Sequence, residues 1–356
     1  MSNTIAHRSG LQMKPALLCA VSLTLLGTTG CGTGRWLGLG GSESSNNAKP
    51  TGNNTPSPQL TNKEFAEFAM ENANSLRQQG FYQDALRELQ RAIALNPELP
   101  AAYAQAGDIY RDLGEYQQAE KSYREGVRKN PRDFDNNFGL GLTLHLMNRL
   151  SEAVRTYLVA LTIRPDDFET NKNLGITYLQ LNEPRQGLPY AVRAVELNPT
   201  SGPARVNLGA IYAALGDDRN AVVEYQQAAE LMELSPELLL NLAESLRKLG
   251  REEEVFNTLK QLVAVSPSAV AHERLGAALF RNAEYQASYD QFQRALEFDP
   301  DHYPALNGLG VYKLNVYLWS DKRDRSAMNE AITAFRRSLQ INPSQPRIIE
   351  LITRYN

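Results

Sequence analysis

An all-α solenoid, a right-handed superhelix of about eight helical hairpins closed by a short C-terminal helix, is the fold predicted for this 356-residue sequence. Three observations predict it. Gly80, Gly114, Asn148, Asn182, Gly216 and Gly250 follow one another at steps of 34 residues. Asn-Pro or a close relative closes a helical stretch at Pro97, Pro131, Pro165 and Pro199, then at Pro267, Pro300 and Pro343. Between these markers small residues recur in pairs, Gly107 with Ala119, Gly141 with Ala153 and Gly209 with Ala221. A fixed period of this size marks stacked supersecondary units, none of which buries enough apolar surface alone.

The first element, residues 1–30, is different. His7, Arg8 and Lys14 precede an apolar run from Ala16 to Leu26, and small residues follow to Gly30. The run is too short to span a bilayer and reads as an export signal. Cys31 comes directly after Gly-Thr-Thr-Gly, which resembles the lipobox of bacterial lipoproteins, although Thr28 stands where that family usually carries leucine. The resemblance implies loss of residues 1–30 and acylation of Cys31. Because Gly32 and not Asp follows, it also implies an outer-membrane anchor facing the periplasm. Two or more acyl chains, at about 0.8 kcal/mol per buried CH₂, give stable anchoring. Cys19 departs with the leader, so one cysteine is left and no intrachain disulfide is expected. Formal charge moves from −3 to 35 − 40 = −5 as Arg8 and Lys14 are lost. With no basic block to meet phosphates, nucleic acid is not an expected partner.

The second element, residues 31–61, is dominated by Gly, Ser, Asn, Thr and Pro. Such a composition cannot offset its ordering entropy, so a flexible tether is predicted, placing the array about 30 Å from its anchor on average. Its GTG and GLGG lack the strand, the helix and the Gly-Lys-Ser/Thr ending of a phosphate loop.

The third element, residues 62–344, is similar to tetratricopeptide repeats, each a pair of antiparallel helices. Eight units start near residues 66, 100, 134, 168, 202, 236, 269 and 303. Gly107 and Ala119 allow two helices to approach, and Tyr110, Leu144, Tyr178, Tyr212 and Leu246 fill the space beside them. Gly114 permits the turn and Pro131 stops the helix. The fifth unit has Glu233 where its proline should be, and Pro236 three residues later. The fourth carries Gly187 at the close approach, Pro184 at a helix start, and Pro189, which is expected to kink or loosen its helix. Residues 345–356 form the cap, with Arg347 to Thr353 as an amphipathic helix over the last apolar face.

Catalysis finds poor material. The histidines are His7, His145, His272 and His302, and no nucleophile, metal-ligand or paired-carboxylate motif accompanies them. Acids such as Glu115, Glu125, Glu252 to Glu254 and Asp217-Asp218 are placed in turns or on solvated faces. No enzyme activity, cofactor, metal or small-molecule substrate is expected. The resemblance implies instead a concave groove lined by the first helix of each repeat. Its sixth place holds Gln105, then Asn173, Asn207 and Asn241, with Gly139 and Arg274 interrupting the series. These amides resemble the asparagine ladder in the repeats of O-linked N-acetylglucosamine transferases. They either pair with the backbone of an extended peptide or bond to neighbouring helices.

Beside them, Phe138, Leu142, Leu146, Ile176, Leu179, Val206, Ala210, Ala213 and Leu240 make the middle repeats apolar. The first two repeats carry Glu67, Asn74, Arg77, Asp108, Arg111 and Asp112 at these places. The contrast suits a hydrophobic or amphipathic partner segment, unless the apolar residues serve the adjacent repeat. The last repeat is nine residues longer than its neighbours. Tyr317, Trp319, Lys322, Arg323 and Arg325, with Tyr312, form a second contact site there, or else the first helix is lengthened with a solvated loop and Ser326 capping the second. Together these readings predict a noncatalytic scaffold for a protein or peptide, lipid-anchored at the bacterial envelope. The layout is similar to pilus and secretion-system assembly lipoproteins. A substrate-presenting module for a separate enzyme and a peptidoglycan-binding factor are the alternatives.

Overall fold

The computed structural model describes residues 61–355; the expected export signal, Cys31 and most of the expected tether lie outside the described residues. Seventeen helices occupy that stretch, sixteen of them in hairpins. The first helices of the hairpins are α1 (Asn62–Gln78), α3 (Pro100–Asp112), α5 (Phe134–Leu146), α7 (Phe168–Gln180), α9 (Gly202–Ala214), α11 (Pro236–Lys248), α13 (Ala269–Arg281) and α15 (Tyr303–Trp319). Their partners are α2 (Tyr82–Leu95), α4 (Tyr116–Lys129), α6 (Leu150–Ile163), α8 (Pro184–Leu197), α10 (Asp218–Leu231), α12 (Glu252–Val265), α14 (Tyr285–Phe298) and α16 (Arg325–Ile341). The last helix, α17 (Pro346–Tyr355), stands alone.

Local chemistry explains the starts and stops. Thr61 and Glu64 close a reciprocal capping box on α1. Asp133, Asp167, Ser201, Ser235 and Ser268 each accept a bond from the third backbone N–H of the helix they precede. Within hairpins the chain turns through a left-handed residue, Gly80, Gly114, Gly216 or Gly250, and at the equivalent places Asn148, Asn182 and Ala283. Asparagine tolerates that conformation best after glycine, so the 34-residue marker is a backbone requirement. Ala283 takes the same conformation without either residue type, so no sequence marker stands there.

Each second helix packs between its own first helix and the next one, while first helices also touch each other, as α3 does α5 and α7 does α9. The stacking contact is an aromatic ring. Tyr123 on α4 lies between Gly107 of its own hairpin and Gly139 of the next, where an added Cβ would come within 2.7 and 2.2 Å of the ring. Phe292 on α14 is held in the same way by Gly276 and Gly308, at 2.9 and 2.4 Å. These fully enclosed rings fill the space between hairpins, with Leu144, Tyr178 and Leu246; Tyr110 and Tyr212 are only half-buried.

The fourth hairpin lacks such a ring. Ala191 stands in its place, α7 and α8 close up, and a Cβ on Gly187 would sit 2.7 Å from the Gly175 carbonyl oxygen. Pro189 lies inside α8, which runs continuously from Pro184 to Leu197. Pro189 is exposed, so water can serve the carbonyl that its missing N–H leaves free.

The eighth hairpin corrects two further expectations. Its extra residues lengthen both helices to 17 residues. Asp324, not Ser326, caps α16, accepting from the Ala327 N–H at 3.0 Å. Tyr317 is not a projecting contact: at 5% exposed it belongs to a core with Leu314, Phe335 and Ile348 of the cap. One more turn of α15 carries it under α17, whose apolar face it needs.

Candidate functional site

The first helices bring the sequence-predicted groove residues onto one layer, in three zones. At the N-terminal end the charges neutralise one another. Arg77 reaches Asp112 at 2.5 Å and Asp108 at 3.5 Å, and Arg111 reaches Asp108 at 2.9 Å. Arg111 also donates to the Tyr123 hydroxyl at 2.6 Å, which itself donates to Asp108 at 2.6 Å. Burial, with Asp108 second, pushes the Tyr123 phenol well above its ordinary range, so it stays a neutral donor.

The middle zone answers the question left open for the apolar residues, and the answer differs among them. Phe138 stacks on Phe134 with ring centres 5.8 Å apart and tilts against Tyr157 at 6.3 Å. Leu179, Val206, Ala213 and Leu240 are likewise half-buried against core clusters. Leu142 and Ile176 are half-buried outside those clusters, and Leu146 is exposed. His145 lies among them. Its Nδ1 meets the Thr177 hydroxyl at 3.0 Å, and since that hydroxyl already donates to the Asn173 carbonyl at 2.6 Å, Nδ1–H is the donor. Burial lowers the His145 pKa, which keeps the zone uncharged at neutral pH.

Asn173, Asn207 and Asn241 recur at one place on α7, α9 and α11, half-buried, and their side chains bond to nothing else among the described residues. The neighbouring-helix alternative is therefore not what the fold adopts. Gln105, at the same place on α3, has a buried side-chain oxygen with no hydrogen-bond partner. Gly139 and Gly308 occupy that place on α5 and α15 because the Tyr123 and Phe292 rings need the room. They are stacking contacts and not lost rungs.

The C-terminal zone holds Arg274, exposed and 3.5 Å from Glu273. Glu273 is buried, and burial raises its pKa in spite of Arg274 and Arg281. A carboxyl whose folded pKa is raised stabilises most below its unfolded pKa and loses that contribution as pH climbs through the folded value. Glu273→Gln is expected to raise the melting temperature at pH 7 and to have no effect below the ordinary carboxylate range, read from melts at both pH values. Asp218 is also buried, paired with Lys248 at 3.2 Å, and so corrects its placement on a solvated face.

Of the second contact site, Trp319 remains exposed at 54%, tilted against Tyr285 at 4.7 Å, and Lys322, Arg323 and Arg325 are exposed beside it. Tyr312 points elsewhere, donating to Gln286. Among the described residues no group of three or more His, Cys, Asp or Glu is placed to hold a metal ion, and no helix is long and apolar enough to cross a membrane. His272 bonds Gln291 and stacks on Phe298, while His302 sits beside Asp299. The residues that sequence reasoning missed are the enclosed rings. Their signal was present, an aromatic 16 residues after the glycine at Tyr123, Tyr157, Tyr225 and Phe292.

The tetratricopeptide repeat family model matches residues 70–112, 104–168 and 172–238. No curated protein matches the chain in sequence. Among solved structures, the chain resembles Pseudomonas aeruginosa PilF with a TM-score of 0.51 at 20% identity, over 58% of this chain and 94% of that one. It resembles PilW, a widely conserved type IV pilus biogenesis factor, with 0.50 at 21% identity, over 56% and 92%. A tetratricopeptide repeat protein from Parabacteroides merdae gives 0.50 at 17% identity, over 70% and 99%. At such identities the likeness shows the fold alone. The chain therefore carries tetratricopeptide repeats and folds as an all-α solenoid built from them.

Proposed function

We propose that the array is a noncatalytic scaffold that holds an extended polypeptide along the layer of its first helices, at the bacterial envelope, during assembly of a pilus or secretion system. One observation carries the peptide-holding part: Asn173, Asn207 and Asn241 stand at one place on the first helices of three successive hairpins, with no hydrogen-bond partner among the described residues. A half-buried amide that no protein group engages offers a donor and an acceptor to a peptide backbone. Leu142, Ile176 and Leu146 flank these amides and give apolar side chains of the partner a place to rest. The neutral pairing of Arg77, Asp108, Arg111 and Asp112 leaves the N-terminal entrance without a strong field. The envelope and pilus parts are supported by the leader, the lipobox around Cys31 and the fold shared with PilF and PilW.

A photo-crosslinking residue placed at Leu142 or Ile176 in intact cells should trap an envelope polypeptide. The triple variant Asn173→Ala, Asn207→Ala and Asn241→Ala should keep its melting temperature and bind that polypeptide about tenfold more weakly, or less tightly still. Unchanged affinity would remove the amides from the reading. Trapping only sugar strands would remove the polypeptide.

A further inference from the structure

The upstream face of α1 is built like the face each later first helix presses against the preceding hairpin, yet no hairpin precedes it among the described residues. The place held by Phe68 is held in later repeats by Ala102, Asn136, Thr170, Ala204 and Leu238, none more than 1% exposed. That face meets the hairpin before it; the Asn136 side-chain amide, for example, donates to the Pro100 carbonyl at 3.0 Å. On α1 the same place is a phenylalanine 60% exposed, with Phe65 one turn away at 41%. At the opposite end α17 covers the last hairpin with Ile348, Leu351 and Ile352. Solenoids need both ends covered, and large apolar residues are an unusual choice for an end left to water.

We infer that the upstream face of α1 is covered by this chain's own segment Arg35-Trp36-Leu37-Gly38-Leu39, which docks on Phe65 and Phe68 as the N-terminal cap of the solenoid. Between Cys31 and Leu60 that segment holds the one cluster of large apolar residues, among Gly, Ser, Asn, Thr and Pro. Leu39 lies 22 residues before Thr61, where the described chain begins beside this face. By random-coil scaling a Gly/Ser-type connection of that length reaches about 25 Å, enough to hold its end at an effective concentration on the order of millimolar. Charge selects the same occupant. Glu64, Glu67 and Glu71 are exposed on α1 near the two rings and outnumber Lys63, which pairs with Glu67, and Arg35 precedes Trp36. A second copy meeting this face about a twofold axis would bring two such glutamate sets together.

The test uses the full chain with Trp319→Phe, which leaves Trp36 as its sole tryptophan. Trp36 should be shielded from acrylamide. Adding Phe65→Ser and Phe68→Ser, at exposed positions, should raise its quenching about twofold and shift its emission to the red. In the parent chain Trp36→Ala should speed hydrogen exchange of α1 amides about tenfold and leave α9 unchanged. Equal quenching with and without the phenylalanines, or unchanged α1 exchange, overturns the assignment. So does a dimer that dissociates on Phe68→Ser, since a second copy would then be the cover.

Discussion

Tyr123→Ala is expected to cost about 3–5 kcal/mol of stability, the largest effect of any single change proposed for this chain. The ring is fully buried between Gly107 and Gly139, two residues with no side chain that could move into the space it leaves. The charge network around its hydroxyl adds little to the loss, because Arg111 and Asp108 still pair directly at 2.9 Å. Most of the cost is therefore cavity and lost contact at the junction of the second and third hairpins. Stability in a stacked array is roughly a sum of unit and neighbour terms, so weakening one junction should split the unfolding curve. Urea denaturation followed by circular dichroism should show two transitions where the parent shows one. Tyr123→Phe keeps the ring, loses only the bonds to Asp108 and Arg111, and should cost about 1 kcal/mol.

Gly139→Ala is the second large effect and works by the opposite means. Its Cβ would come within 2.2 Å of the Tyr123 ring. A ring usually relieves such a contact by sliding away, but the Tyr123 ring is fully buried, with Gly107 also close against it. The hairpins must separate instead, at about 1–3 kcal/mol for overpacking of this kind. Gly114→Ala provides a contrast. Nothing lies within 4 Å of its Cβ, and the cost comes from the left-handed backbone alone, about 1 kcal/mol. If Gly139→Ala proved as mild as Gly114→Ala in the same denaturation experiment, the enclosed-ring account of stacking would fail.

Much of this fold was legible because its markers are backbone requirements. A left-handed turn admits Gly or Asn, so Gly80 through Gly250, with Asn148 and Asn182, announced the hairpins, and Ala283 did not. What remained hidden depends on distances. Whether Gly139 was a lost amide or a stacking contact rests on where the Tyr123 ring ends, on the preceding helix. Whether Asn173 had a partner rests on which neighbouring groups fall within reach. Tyr317 looked like a surface aromatic because it sits in an insertion, and only the extra turn of α15 showed it turned inward. Phe138 and Leu142 looked alike in sequence and part company in the fold, since Phe138 supports the core while Leu142 does not.

The two glycine-held rings have a mechanical consequence. They fasten the second hairpin to the third and the seventh to the eighth with glycine on both sides, whereas Tyr157 and Tyr225 meet glycine only within their own hairpins, at Gly141 and Gly209. Where bare backbone meets a ring from both hairpins, the thickness of that one side chain sets their spacing, so the pitch of the ramp near each end is fixed by a single residue.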